Sequence, residues 1–193
     1  MHTKPLTAAL LAGVLSLPGL AAAADYVIDT KDSHAFIQFR IPHLGYSMLL
    51  GRFNEFEGNF SYDEDNPEDA SAEVVIKTAS IDSNHAERDK HLRGEDFLEV
   101  DKYPEARFVS TGFTENSDGT AMLEGELTLH GVTRPVTIKV EHMGHGPDPW
   151  GGYRRGFTGT TTLKLADFNI DYDLGPASRE VELFLSVEGI RQE

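Results

Sequence analysis

Residues 84–91 read Asn-His-Ala-Glu-Arg-Asp-Lys-His and hold the best candidate cluster for metal or acid–base chemistry in this chain of 193 residues. His85, Glu87, Asp89 and His91 are all side chains that ligate zinc-like ions. On a helix, His85 and Asp89 are four apart and share a face, as do Glu87 and His91. The two histidines are six apart, which at ~100° per residue sets them ~120° from each other around the axis. They cannot hold one ion together, so each four-apart pair is more simply a helix-surface contact. His142 and His145 fall in a glycine-rich stretch and would bind metal only loosely. The chain carries no G-x-S-x-G, no H-E-x-x-H and no phosphate-cradling loop. Its many carboxylates are scattered, without a pair that stands out for acid–base work. No catalytic residue, no metal and no cofactor is therefore expected, and an enzymatic or metal-dependent role of the His85–His91 helix is the alternative reading.

That helix is the exception in a chain of strands. Asn84-His85-Ala86-Glu87 resembles a capping box, with Asn84 as the cap. It predicts a helix from about His85 to Arg93, stopped by Gly94, with a short helical turn at Glu95 to Val100. Elsewhere the period is two. Ala35, Ile37, Phe39 and Ile41 alternate with Phe36, Gln38 and Arg40, the signature of a strand with one face turned from water. A second run begins near Gly51, with Phe53 on one phase and Phe56, Phe60 and Tyr62 on the other. That switch predicts a β-bulge. Further alternation marks 72–78, 122–129, 136–140, 157–165 and 181–188, with a short strand at Arg107 to Thr111. Turn signals separate them: Asn66-Pro67, Asp118-Gly119, Gly131 before Arg134-Pro135, and Gly146-Pro147-Asp148-Pro149.

The N-terminus reads as an address rather than as fold. Lys4 precedes an apolar run from Leu6 to Leu20, and Ala21 to Ala24 supplies small residues for cleavage near Ala23. Residues 1–23 are read as a secretory signal peptide and 24–193 as one domain. Cleavage removes one lysine and no acid, leaving 16 basic against 32 acidic residues and a formal charge of −16. Such a surface disfavours nucleic acid and anionic headgroups. No later segment approaches the ~20 apolar residues of a membrane span, so stable insertion is not expected. The chain has no cysteine, hence neither disulfides nor thiolate chemistry.

About eight antiparallel strands and one helix allow a closed up-and-down barrel or a two-sheet sandwich. Few prolines protect strand edges, and glycines 58, 125 and 159 on inward phases permit tight coiling, which favours the barrel. The reading is all-β: an eight-stranded antiparallel, lipocalin-like barrel with a short helix packed at one side. Its interior would be lined by Ile37, Phe39, Phe60, Val74, Ile76, Leu127, Val136, Ile138, Leu163, Leu183 and Leu185. An eight-stranded barrel is just wide enough to be filled by side chains or to hold one small ligand. With no acid or base in that lining, any ligand is apolar. Alternation alone leaves a ligand cavity and the solid core of a structural stress-response protein equally open.

Several blocks resemble one family. They are HAFIQFRIPHLGYS at 34–47, NHAERDKHLRGEDFL at 84–98, YPEARF at 103–108 and GELTLHGVTRPV at 125–136. DPWGGYRRGF at 148–157 and LADFNIDYDLGPASREVELFLSVEG at 165–189 complete the set. Together they span nearly the whole mature chain and resemble the YceI-like family of exported, lipocalin-like proteins that bind polyisoprenoids. The resemblance implies a long isoprenoid lipid, a quinone or polyprenyl type, threaded through the interior. It also implies carriage or storage in the bacterial periplasm, and in some members a homodimer. On this reading Pro42 to Ser47 forms a lip at one mouth, and Arg40, His43 and Arg52 flank it within reach of a phosphate or quinone oxygen. Ion pairs with the many acids are the simpler role for them. His85 and Arg88 either orient a headgroup or, more simply, pin the helix to the rim. Trp150, beside Gly151-Gly152, is read as a rim anchor.

Overall fold

The computed structural model describes residues 23–32 and 34–193. The expected signal peptide, Ala23 apart, lies outside them. Eleven strands follow in chain order: β1 (Ala24–Ile28), β2 (Phe36–His43), β3 (Ser47–Phe53), β4 (Phe56–Tyr62), β5 (Ser71–Lys77), β6 (Ile81–Asp82), β7 (Glu105–Glu115), β8 (Thr120–Leu129), β9 (Val132–Pro147), β10 (Tyr153–Lys164) and β11 (Glu180–Arg191). Among the described residues one α-helix, α1 (Ala86–Leu92), lies between β6 and β7. Neighbours run β1-β4-β5-β7-β8-β9-β10-β11, and β11 returns to β1, closing an eight-stranded barrel. Among the described residues no helix is long and apolar enough to cross a membrane.

The remaining strands explain how eight staves arise from eleven pieces. β11 holds β1 through Gly189–Arg191 and β2 through Glu182–Ser186. β1 and β2 are thus two halves of one stave, the first ending at Ile28 and the second beginning at Phe36. β3 continues into β4 across Asn54-Glu55, and β5 into β6 across a 3₁₀ turn at Thr78–Ser80. Three consecutive staves are interrupted, and their β2, β3 and β6 halves follow β11 as a second row of the sheet, in the order β11-β2-β3-β6. The phase switch between Phe53 and Phe56 is therefore a full break, not the expected bulge. Register shifts lie instead at Ser110/Gly112 in β7 and Gly156/Phe157 in β10.

The strands also run longer than their alternation suggested. β7 covers eleven residues rather than Arg107 to Thr111. β9 passes through Arg134-Pro135, because the turn is made earlier, by His130 and Gly131 at φ 50° and 74°. β10 joins β9 only from Lys139 onward, so the missing N–H of Pro135 breaks no ladder on that flank. β1, five residues long, is too short to show a period at all.

The helix is capped one residue later than predicted. Nδ1 of His85 accepts the Arg88 N–H at 3.2 Å, while Asn84 sits at φ 61° and directs the chain into the helix. Glu95 to Val100 form hydrogen-bonded turns, not helix. Tight coiling is bought with glycine under aromatic rings. A Cβ at Gly51, Gly125 or Gly189 would lie 2.2, 2.4 and 2.4 Å from Phe39, Phe108 and Phe60 respectively. Only a bare backbone lets those rings lie flat against the wall.

A candidate lipid cavity with one polar mouth

The inward faces of the staves enclose a cavity of about 160 Å³. Nine of the anticipated interior residues line it: Ile37, Phe60, Val74, Ile76, Leu127, Val136, Ile138, Leu183 and Leu185. Phe39 and Leu163 do not. They pack instead into a solid cluster with Ile81, Phe97, Leu98, Phe168 and Ile170, which closes the barrel at the α1 end. The wall also contains Ile28, Phe56, Phe108, Phe113, Leu123, Val140, Phe157 and Val187, which the expected lining left out although Leu123, Val140, Phe157 and Val187 share its alternating runs. No residue of the lining is charged. Such a space offers an apolar molecule burial alone, at ~25 cal/mol per Å² removed from water.

Polar chemistry gathers at the opposite end, where β4, β7, β9 and β11 finish. A second space adjoins the cavity there, sharing Tyr62, Phe113, Val140 and Phe157 and adding Glu115 and His142. Tyr62 stands between the two. Its hydroxyl donates to Glu115 Oε1 at 2.5 Å. Burial, then the carboxylate, pushes its pKa up to about 12, so it stays protonated. Arg155, only 3% exposed, lies with Cζ 4.4 Å above the Tyr62 ring. One of its terminal nitrogens donates to Glu64, and the other meets His142 Nε2 at 3.3 Å. Its Nε–H is buried without a partner, an omission that costs about 1–3 kcal/mol. Burial, then Arg155 and His145, lowers the pKa of His142. A guanidinium can only donate, so the neutral His142 accepts through Nε2 and carries its proton on Nδ1. His145 completes the rim, 2.5 Å from the Tyr153 hydroxyl and 3.4 Å from Glu64.

None of the rim residues anticipated from sequence joins this group. Arg40 points out from β2 and holds Glu182 through two bonds of 2.9 and 2.7 Å. Arg52 faces Asp82 at 3.7 Å on the same outer surface, and His43 is exposed at the hairpin turn. His85 is committed to capping α1. Arg88 donates to the Ser83 hydroxyl at 2.7 Å and its carbonyl at 2.5 Å. The buried Asp89 accepts the Ser83 N–H at 2.8 Å. His91 pairs with Asp96 at 2.9 Å and packs on Phe97 and Tyr172. Of the four candidate ligands of the helix, His85, Asp89 and His91 thus engage three different partners, and Glu87 is exposed. Trp150 is near the mouth end but outside it, 74% exposed and stacked 5.1 Å from Arg154.

Arg154 itself explains a cluster that sequence did not suggest. Asp29, His34 and Glu188 bring ligand atoms close enough to hold a cation. The guanidinium already takes that place, 2.6 Å from Asp29 and 2.5 Å from Glu188, with Asp148 held at 2.9 Å. Burial would raise the Asp29 pKa, but hydrogen bonds from Arg154, His34 and the Asp32 N–H hold it at about 2. The DPWGG motif serves this knot, since Asp148 also accepts the Trp150 and Gly152 N–H groups.

The mouth residues were readable by register. Counting back by twos from the inward Phe157 reaches Arg155. Counting on from Ile138 and Val140 reaches His142, and from Phe60, Tyr62. What sequence hid was that these strand ends meet.

Comparison with known proteins agrees with this architecture. The model of the YceI-like domain matches residues 26–189. The chain belongs to the YceI-like family. A UPF0312 protein of Pseudomonas aeruginosa is 60% identical over 192 residues, covering 100% of both chains. Among solved structures, Burkholderia cenocepacia BcnA superposes with a TM-score of 0.75 at 21% identity, over 83% of this chain and 98% of that one. A polyisoprenoid binding domain from Saccharophagus degradans, implicated in plant cell wall breakdown, superposes with a TM-score of 0.62 at 15% identity, over 86% and 98%. At those identities the two structures speak for the YceI-like fold.

Proposed function

We propose that this YceI-like barrel binds a long isoprenoid lipid and carries or stores it in the bacterial periplasm, without catalysis of its own. The observation that carries the reading is a cavity with no charged residue in its lining, closed by packing at one end and meeting polar groups at the other. An apolar chain with a polar end matches that gradient. The family and the polyisoprenoid-binding neighbour support the ligand class. The leader at 1–23 supports export, and a mature charge of −16 keeps the carrier off anionic membrane surfaces between transfers. Native mass spectrometry of protein purified from its own periplasm tests this. A co-purifying isoprenoid is expected. The absence of any bound lipid, together with failure to take up a long-chain quinone, would sink the proposal.

A further inference from the structure

The barrel wall closes on itself, but β3 leaves an edge open. β2 pairs with it along Ser47–Phe53, whereas β6 meets its other side only at Arg52 and Phe53. Along Ser47–Leu50 that side has no strand partner among the described residues. Exposed edges are ordinarily guarded by lysine, proline or an inward charge. This one carries none. Leu49 turns in to pack on the core. Tyr46, Met48 and Leu50 turn out, and are 87%, 49% and 65% exposed. Between Asp32 and Glu55 the chain has no acid at all, in a protein with 32.

Whatever covers this edge must be extended, apolar on one face, and free of acids that the rest of the surface would repel. A second copy of β3 meets all three conditions. Run it antiparallel with Met48 on the two-fold axis. Ser47 of one copy then lies opposite Leu49 of the other, and Tyr46 opposite Leu50. Directly opposed residues share a face, so six apolar side chains form one row outside the joined sheets. A register shifted towards Arg52 would drive the incoming strand into Asp82, whose carbonyl oxygen lies 2.9 Å from where a Cβ on Gly51 would be. Beyond Leu50, a groove of about 320 Å³ between β3 and Asp82-Ser83-Asn84 has room for the tyrosine ring. Two bodies of like charge repel, and here they touch without setting acid against acid. Arg40 and Arg52, behind the row, are each held by an acid of their own copy, Glu182 and Asp82.

We propose that the outer edge of β3 is a self-pairing surface, through which β11-β2-β3 of one copy runs on into β3-β2-β11 of another as one continuous sheet. The contact is isologous and uses up the open edge, so assembly stops at two. About four main-chain hydrogen bonds and the apolar row make a small interface, and dissociation is expected at roughly micromolar concentration. The surface faces away from the cavity and makes no use of the lipid.

Sedimentation velocity on the mature protein, over roughly 1–200 µM, should show a monomer–dimer equilibrium. Leu50→Lys puts an edge-guarding charge at an exposed position and should weaken the dimer about tenfold or more. Met48→Cys reads the register. The chain has no cysteine of its own, and residues facing each other on the axis of an antiparallel pair have Cα atoms roughly 4.5–5.5 Å apart, within disulfide range. That variant should cross-link two copies under mild oxidation. Phe184→Cys, at a position 41% exposed on β11, should not. Monomer across the whole range overturns the proposal. So does a dimer that Leu50→Lys leaves equally tight, or one that Phe184→Cys links as readily as Met48→Cys. Monomeric protein that floats with phosphatidylcholine vesicles, and is released from them by Leu50→Lys, assigns the edge to a membrane and overturns it too.

Discussion

The two ends of this barrel are built from the same alternating strands yet behave as different materials. At the α1 end, Phe39, Ile81, Phe97, Leu98, Leu163, Phe168 and Ile170 are each no more than 8% exposed. Along the middle and towards the mouth, Val74, Ile76, Val136, Leu183, Leu185 and Val187 face inward but remain only half-buried, beside Phe108, Phe113, Leu127, Ile138 and Val140, which are as buried as the α1 end. Hydrophobicity does not separate the two sets. The difference is in what lies opposite. Phe97 and Leu98 come from the turns after α1, and Phe168 and Ile170 from the 3₁₀ turn Leu165–Phe168 and the residues beyond it. These non-strand segments fill one end. Nothing equivalent fills the other, where only strand ends and a cation–acid cluster meet. A barrel becomes a core or a container according to its connections, not its staves.

Truncations at the two ends should expose this difference most directly. Phe168→Ala removes a fully enclosed ring and should cost about 3–5 kcal/mol in urea denaturation. Leu185→Ala, on the cavity wall, should cost less than half as much, because the wall already lacks neighbours on one side. Equal losses at both positions would mean that the cavity is filled in solution by protein, and the contrast between the ends would fail.

The same contrast marks where sequence could be read and where it could not. The staves were legible because alternation is a local pattern: Ile37 with Phe39, Leu183 with Leu185, Val136 with Ile138. The break at Asn54-Glu55 was visible only as a change of phase, since a kink and a bulge both shift register by one residue. The plug was illegible. Phe97, Phe168 and Ile170 sit in segments without a period, and what they fill is decided by contacts with strands far away in the chain. Arg155 was missed for a related reason. Its ion-pair partner, Glu64, is 91 residues away, and the Arg154-Arg155 doublet reads as one exposed basic spot. Strand register sends one arginine out to Asp29 and Glu188 and the other into the barrel.

If charge does at the mouth what packing does at the plug, acid should loosen the mouth end first. Asp29, 3% exposed, has its pKa lowered from 3.8 to about 2. A depressed folded value means stability that is fully present above pH ~4 and lost as pH falls through about 2. The shift is worth about 2 kcal/mol. Denaturation midpoints measured from pH 5 to pH 2 should fall in the wild type, and Asp29→Asn should flatten that limb. Hydrogen exchange at low pH should open β1 and the β10–β11 pair before the Leu165–Phe168 turn. A variant that keeps the wild-type acid slope would show that the Arg154 knot does not carry it.

The smallest change in stability should come from the largest side chain. Ile76 lines the cavity from β5, opposite Ala106 on β7. In a close-packed core, Ile76→Trp forces neighbours off their rotamers and costs about 1–3 kcal/mol. Here the indole can enter a void of about 160 Å³, gaining contacts that the wild type lacks. The lipid-free variant should therefore melt within about 1 kcal/mol of the lipid-free wild type, on the stable or the unstable side. Its lipid occupancy should collapse, because indole and isoprenoid compete for one space. The two readouts divide cleanly. Lost stability with undiminished lipid binding would place the lipid elsewhere on the molecule. Lost stability and no lipid in either protein would make the staves around Ile76 the same material as the plug around Phe168. Unchanged stability with lost lipid is the outcome only a container gives, and it would locate the boundary between the two ends on the plug side of Ile76.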